Sequence, residues 1–116
     1  MFEFEKFPLY QRSLELHQSI FDLLKNNPRV DYHFQDQLKR ASTSIIANLA
    51  EGAGRFSPAD KKHFYIISRG SAYEVIALLT LIFRSYAFDN SVHQKMRNQI
   101  DEIIKMLTGL IKSKSK

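Results

Sequence analysis

Apolar side chains recur along this chain at intervals of three and four residues, the spacing that lines one face of a helix. Four segments carry the pattern. From Pro8 to about Asn27, Leu9, Leu16, Ile20, Leu23 and Leu24 share a face that Tyr10, Leu14 and Phe21 widen. Pro8 suits a first helical turn, and Asn26-Asn27-Pro28 ends the segment because the residue before a proline is pushed out of helical geometry. From about Tyr32 to Ala53, with Asp31 as N-cap, the stripe is Phe34, Leu38, Ala41, Ile45, Leu49 and Gly52. Gly52 and Gly54 are expected to close it as left-handed caps. Ser57-Pro58-Ala59-Asp60 is the clearest start signal: a capping serine, proline at the first helical position and an acid facing the positive helix end. This third helix runs to about Tyr86. The fourth, from about Ser91 to Lys112, is capped by Asp89 or Asn90. It gathers Val92, Met96, Ile100, Ile103, Ile104, Leu107, Leu110 and Ile111 within about 120°.

No segment alternates at period two for long enough to make a strand. Four helices joined by three short loops predict an all-α fold, an antiparallel up-down-up-down four-helix bundle, as one domain over residues 1–116. Val75 to Phe83 departs from the one-sided pattern, because apolar side chains cover nearly its whole circumference. A soluble helix of that kind is buried on more than one side. We therefore expect a contact between subunits at Val75, Ile76, Leu78, Leu79, Ile82 and Phe83.

Composition narrows the functional classes. The 116 residues include no cysteine, which removes disulfides, thiolate metal sites and a cysteine nucleophile. Acids at Glu3 and Glu5 stand where a secretory signal needs a basic region. The longest uncharged apolar run, Val75 to Phe83, is far shorter than the roughly twenty residues of a membrane span. A soluble cytoplasmic domain with no membrane contact and no cofactor is the expectation.

Candidate chemistry is sparse. Asp60 with His63 and Asp89 with His93 have metal-ligand spacing, but a di-iron bundle needs Glu-x-x-His on two helices and further glutamates on the other two. Capping and surface charge explain these pairs better. His17, amid the apolar face of helix one, reads as a core or interface histidine. Gly52-Ala53-Gly54 follows a helix and lacks the Lys-Ser/Thr of a phosphate loop. Gly70 is expected to let helix three approach Ala41, Ser44 and Ala47 closely. No nucleophile–base set or carboxylate pair assembles, so the chain reads as a non-enzyme. Gln37, Arg40, Ser44, Asn48, Glu51 and Arg55 recur within about 80° of one another beside the apolar stripe of helix two. Ser44, Asn48, Glu51, Gly52, Gly54 and Arg55 form a polar motif there. It is either a structural network, with Arg55 or Arg69 as partner, or a ligand or subunit site.

Charge adds a candidate partner. Lysine and arginine number 17 against 12 acids, a net charge of +5. Arg40, Arg55, Lys61, Lys62, Arg69 and Arg84 surround the second turn and third helix. Lys62, Arg69, Tyr73 and Arg84 fall within about 60° on helix three. Cations interleaved with an aromatic suit a nucleic-acid backbone, RNA or DNA, with occasional base stacking. The alternative is a protein-interaction scaffold whose charges keep it soluble.

Residues Ser44 to Arg55 resemble the signature Ser-Ile-Pro-x-Asn-Ile-Ala-Glu-Gly-x-Gly-Arg of the small four-helix bundle proteins encoded in intervening sequences of bacterial 23S ribosomal RNA genes. Ser44, Ile45, Asn48, Ala50, Glu51, Gly52, Gly54 and Arg55 keep its register. Phe2 to Lys6 with Tyr10 resembles the family's opening. Arg69-Gly70-Ser71 with Glu74 resembles its third helix, and Met106 to Ile111 its end. Ile46 replaces the signature proline, so any kink in helix two is weaker, and Tyr10 stands where many members have tryptophan. The resemblance implies a ring-like homopentamer. It also implies kinship with the accessory bundle protein of diversity-generating retroelements, which binds nucleic acid and a reverse transcriptase. A pentamer would multiply the charge of +5 fivefold and concentrate the field near its axis.

Overall fold

The computed structural model describes residues 1–114. It contains a short 3-10 turn, Glu3–Lys6, and four helices: α1 (Pro8–Asn26), α2 (Tyr32–Ala53), α3 (Pro58–Ser85) and α4 (Asn90–Ser113). The end of the basic tail, residues 115–116, lies outside the described part. Each start signal works as the sequence suggests. The Asp31 carboxylate accepts from the His33 amide, Ser57 Oγ from the Asp60 amide, and the Asp89 carboxylate from the Ser91 amide. These contacts satisfy donors that a helix start leaves unpaired.

The helices form a square. Each packs on its two neighbours around the ring, and among the described residues the backbones of diagonally opposite helices stay more than 8 Å apart. The result is an antiparallel bundle about 45 Å long and 22 Å across. Its core runs the full length, from Leu9, Leu49, Tyr65 and Leu107 to Leu24, Val30, Ile82 and Met96. The 3-10 turn, invisible to periodicity, sits on α1 and α2. There Phe4 meets Tyr10 edge to face, with 5.1 Å between ring centres.

Two glycines depart from expectation. Gly54 has right-handed backbone geometry (φ −82°, ψ −8°), and no described glycine has positive φ. A left-handed cap is unnecessary because a cation from the next helix caps α2: Lys61 Nζ donates to the Ala53 carbonyl at 2.9 Å and reaches the Gly52 carbonyl at 3.5 Å. Gly52 is required for proximity instead. A Cβ there would lie 2.6 Å from Tyr65 Cε1 and 3.2 Å from the Lys61 carbonyl oxygen. Gly70, expected to permit close packing, faces open space, with no neighbouring group within 4 Å of where a Cβ would stand.

Gly52→Ala should therefore overpack the α2–α3 seam and cost about 1–3 kcal/mol. Gly109→Ala, on an exposed turn of α4 with nothing within 4 Å, should instead stabilise by about 1 kcal/mol. Urea unfolding of the two variants checks both signs.

Candidate functional site

The signature segment of α2 faces α3 through a chain of hydroxyls. Asn48 Nδ2 donates to Ser44 Oγ at 3.0 Å and to the Ser44 carbonyl at 2.9 Å. Ser44 Oγ lies 2.7 Å from Ser71 Oγ, and Ser71 donates to the Ile67 carbonyl at 3.2 Å. Since Asn48 reaches Ser44 through N–H and Ser71 gives its proton to Ile67, Ser44 must donate to Ser71. One step along the seam, buried Ser68 donates to the Ile45 carbonyl at 2.7 Å. The inner half of the motif is thus a satisfied structural network. Its partners are serines; of the two arginines expected as partners, Arg69 reaches the other way, to Thr108 on α4 at 3.3 Å, and Arg55 serves the carboxylate of the motif alone. The outer half turns to solvent. Arg55 pairs with Glu51 at 2.6 Å, and its guanidinium lies 4.6 Å from the centre of the Phe64 ring.

The six candidate cations do not form one patch. Lys61 and Arg84 are 23 residues apart on one helix, about 34 Å at 1.5 Å per residue. Angular clustering about a helix axis says nothing of distance along it. Four of the six already have partners: Arg40 with Asp36 at 2.9 Å, Arg55 with Glu51, Lys61 with the end of α2, and Arg69 with Thr108. Lys62 and Arg84 have none among the described residues.

The expected subunit contact also needs correction. Val75, Leu79 and Ile82 are fully buried inside the protomer and Leu78 is nearly so, while Ile76 and Phe83 are half-buried. A helix wedged between two neighbours in a square bundle covers more of its circumference than a one-sided reading allows. The uncovered part of α3 is a different stripe: Ile66, Gly70, Tyr73, Ala77 and Leu81 recur at helical spacing along its outer face. Ile66, Tyr73 and Leu81 are 43%, 55% and 51% exposed. By length and composition, α3 is also apolar enough to cross a membrane. The bundle core accounts for its inner half, and the stripe is what remains.

Asp60 and Asp89 sit in helix-start contacts, and no group of three metal-ligating side chains occurs among the described residues. His17 Nδ1 bonds Ser42 Oγ at 2.8 Å, and its ring packs on Phe21. His93 stacks flat on Phe83, 4.5 Å between centres, with Nε2 buried and unpartnered. Sequence reasoning missed a groove between α1 and α4, lined by Ser19, Asn26, Lys95 and Gln99 and closed by Phe88. Its residues come from two distant stretches of the chain, 19–27 and 88–99. The amide-rich pair Asn26-Asn27 is the one local sign of it.

Burial lowers the pKa of His17, and burial with the nearby Arg97 charge lowers that of His93. The unfolded chain, with histidines near 6.5, takes up protons that the folded chain refuses. Stability should therefore fall as pH drops from about 7.5 through 6.5 towards 5.5, above the carboxylate range. His93→Phe, which keeps the stack on Phe83, should flatten that fall in urea titrations.

Among curated proteins, none matches the chain. A solved structure of a protein of unknown function from the S23 ribosomal protein family of Bacteroides thetaiotaomicron is similar, with a TM-score of 0.82 and 29% identity. The similarity covers 90% of this chain and 98% of that one. The family described as 23S rRNA-intervening sequence protein matches residues 5–109, from the 3-10 turn through nearly all of α4. With the fold and the Ser44–Arg55 motif both in place, the chain belongs to the 23S rRNA-intervening sequence protein family.

Proposed function

We propose that this protein is a non-enzymatic, cytoplasmic homo-oligomer that binds nucleic acid, structured RNA in the first place. The observation that carries the reading is the outer face of α3, an apolar stripe that the protomer leaves uncovered. A second copy of the chain covers such a face, and the family resemblance supports five copies in a ring. Lys62 and Arg84, the two candidate cations without partners among the described residues, lie towards opposite ends of the same helix. Assembly repeats them and the net charge of +5 around the ring, producing a field that attracts a polyanion.

A second reading has its own support. Because most of the candidate cations are held within the protomer, the stripe also suits a protein-interaction scaffold or accessory subunit with no direct contact to nucleic acid. Light scattering and binding titrations separate the two. Under the first reading the mass is a multiple of 13.5 kDa, and Leu81→Asp shifts it towards that value. Labelled structured RNA binds with an affinity that falls steeply with salt. The Lys62→Glu, Arg84→Glu double variant binds more weakly, with a log–log salt slope flatter by about 2. Lys61 is a poor choice for charge reversal because it caps α2. A monomer of 13.5 kDa overturns the assembly, and no binding at low salt favours the scaffold.

A further inference from the structure

The seam between α1 and α4 is the least intimate of the four. It opens into a groove of about 340 Å³, bounded by Ser19 and Asn26 on α1, Lys95 and Gln99 on α4, and Phe88 from the connecting loop. A second hollow of about 310 Å³ shares Asn26, Asn27 and Phe88 and continues under the α1–α2 loop to Arg29. Each is of the size that takes a small organic group.

Three features give the groove its chemistry. Gln99 Nε2 reaches Ser19 Oγ at 3.4 Å across the seam, while its Oε1 is buried without a partner. Turned out of the seam, this amide would offer a ligand both an acceptor and donors. Phe88 supplies an aromatic surface beside it. Lys95 and Arg29 stand at the rims without ion pairs among the described residues. Asp22, the one carboxylate lining either hollow, already accepts from Gln18 at 2.9 Å.

We propose that this groove receives one unpaired nucleotide of a nucleic-acid strand. The base lies against Phe88 with its polar edge on the Gln99 amide, which turns out of the seam to meet it, and the flanking phosphates lie towards Lys95 and Arg29. This rests on the nucleic-acid reading above and adds to it a preference for unpaired positions, since a base in a duplex has its faces stacked and its pairing edge occupied. An acidic peptide would use the two cations, and its backbone N–H could pair with the amide, but its carboxylate side chains would leave the aromatic face without a stacking partner.

The test compares a labelled single-stranded RNA dodecamer of mixed sequence with a blunt duplex of the same sequence. The protein is used as wild type, Phe88→Ala and Gln99→Leu. Phe88 packs on Phe83 and Tyr86, so its variant is checked for folding; Gln99→Leu removes an orphaned acceptor and should fold at least as well as wild type. We expect each folded variant to lose about tenfold in single-strand affinity, with duplex affinity changed less than about twofold. Equal losses on both probes, or no loss in folded Gln99→Leu, would overturn the groove and leave the nucleic-acid reading standing. No binding of either probe by the wild type overturns both. Binding of a glutamate-rich peptide that Gln99→Leu weakens, with the single strand unbound, overturns the proposal in favour of an acidic protein partner.

Discussion

Tyr65 fills the space that any side chain at position 52 would occupy, and this contact fixes how closely α2 and α3 approach. From it the rest of the seam follows. The hydroxyls of Ser44, Ser68 and Ser71 come within bonding distance of the opposite helix, and the Lys61 ammonium reaches the end of α2. Buried polar groups tolerate little displacement, because each lost bond leaves a group without water or partner. The serine bonds thereby tie α2 and α3 to the register they have here.

That constraint explains how the circumference of α3 is divided. Its inner side is the core, one flank is the serine seam, and Arg69 on the other flank contacts Thr108 of α4. What is left faces outward, and along its middle runs the apolar stripe from Ile66 to Leu81. The cations divide in a similar way. Exposed pairs such as Arg40–Asp36 and Arg55–Glu51 are worth only about 0.3–0.5 kcal/mol, so a phosphate could displace the carboxylate at small cost. Lys61 differs, because moving it uncovers the carbonyls that end α2.

Much of this bundle is legible in the order of residues. Pro8, Asp31, Ser57-Pro58 and Asp89 mark the helix starts where the structure has them, because capping is local chemistry. The apolar stripes name most of the core for the same reason. What escapes is what depends on distance. Arg69 lies beside the polar motif in projection, yet it bonds to another helix. Val75 to Phe83 is too apolar for one contact face, and the second face belongs to a neighbouring helix of the same chain. Gly52 stands out in the sequence for backbone freedom, where the structure's need is for space. The α1–α4 groove has no sequence signature, since Ser19, Phe88 and Gln99 meet only after the ring closes.

The hydroxyl chain on the α2–α3 seam has a sense of direction. Hydrogen bonds run from the Asn48 amide to Ser44, from Ser44 to Ser71 and on to the Ile67 carbonyl, and turning Ser44 round would take from Ser71 the donor it receives. Asparagine at position 48 is thus more than a polar residue of suitable size. A carboxylate in its place could only accept, so Ser44 would have to turn its proton back towards α2, and Ser71 would then lose its donor. The seam in effect reads the difference between an amide and an acid, groups of nearly equal size, at a distance of two side chains.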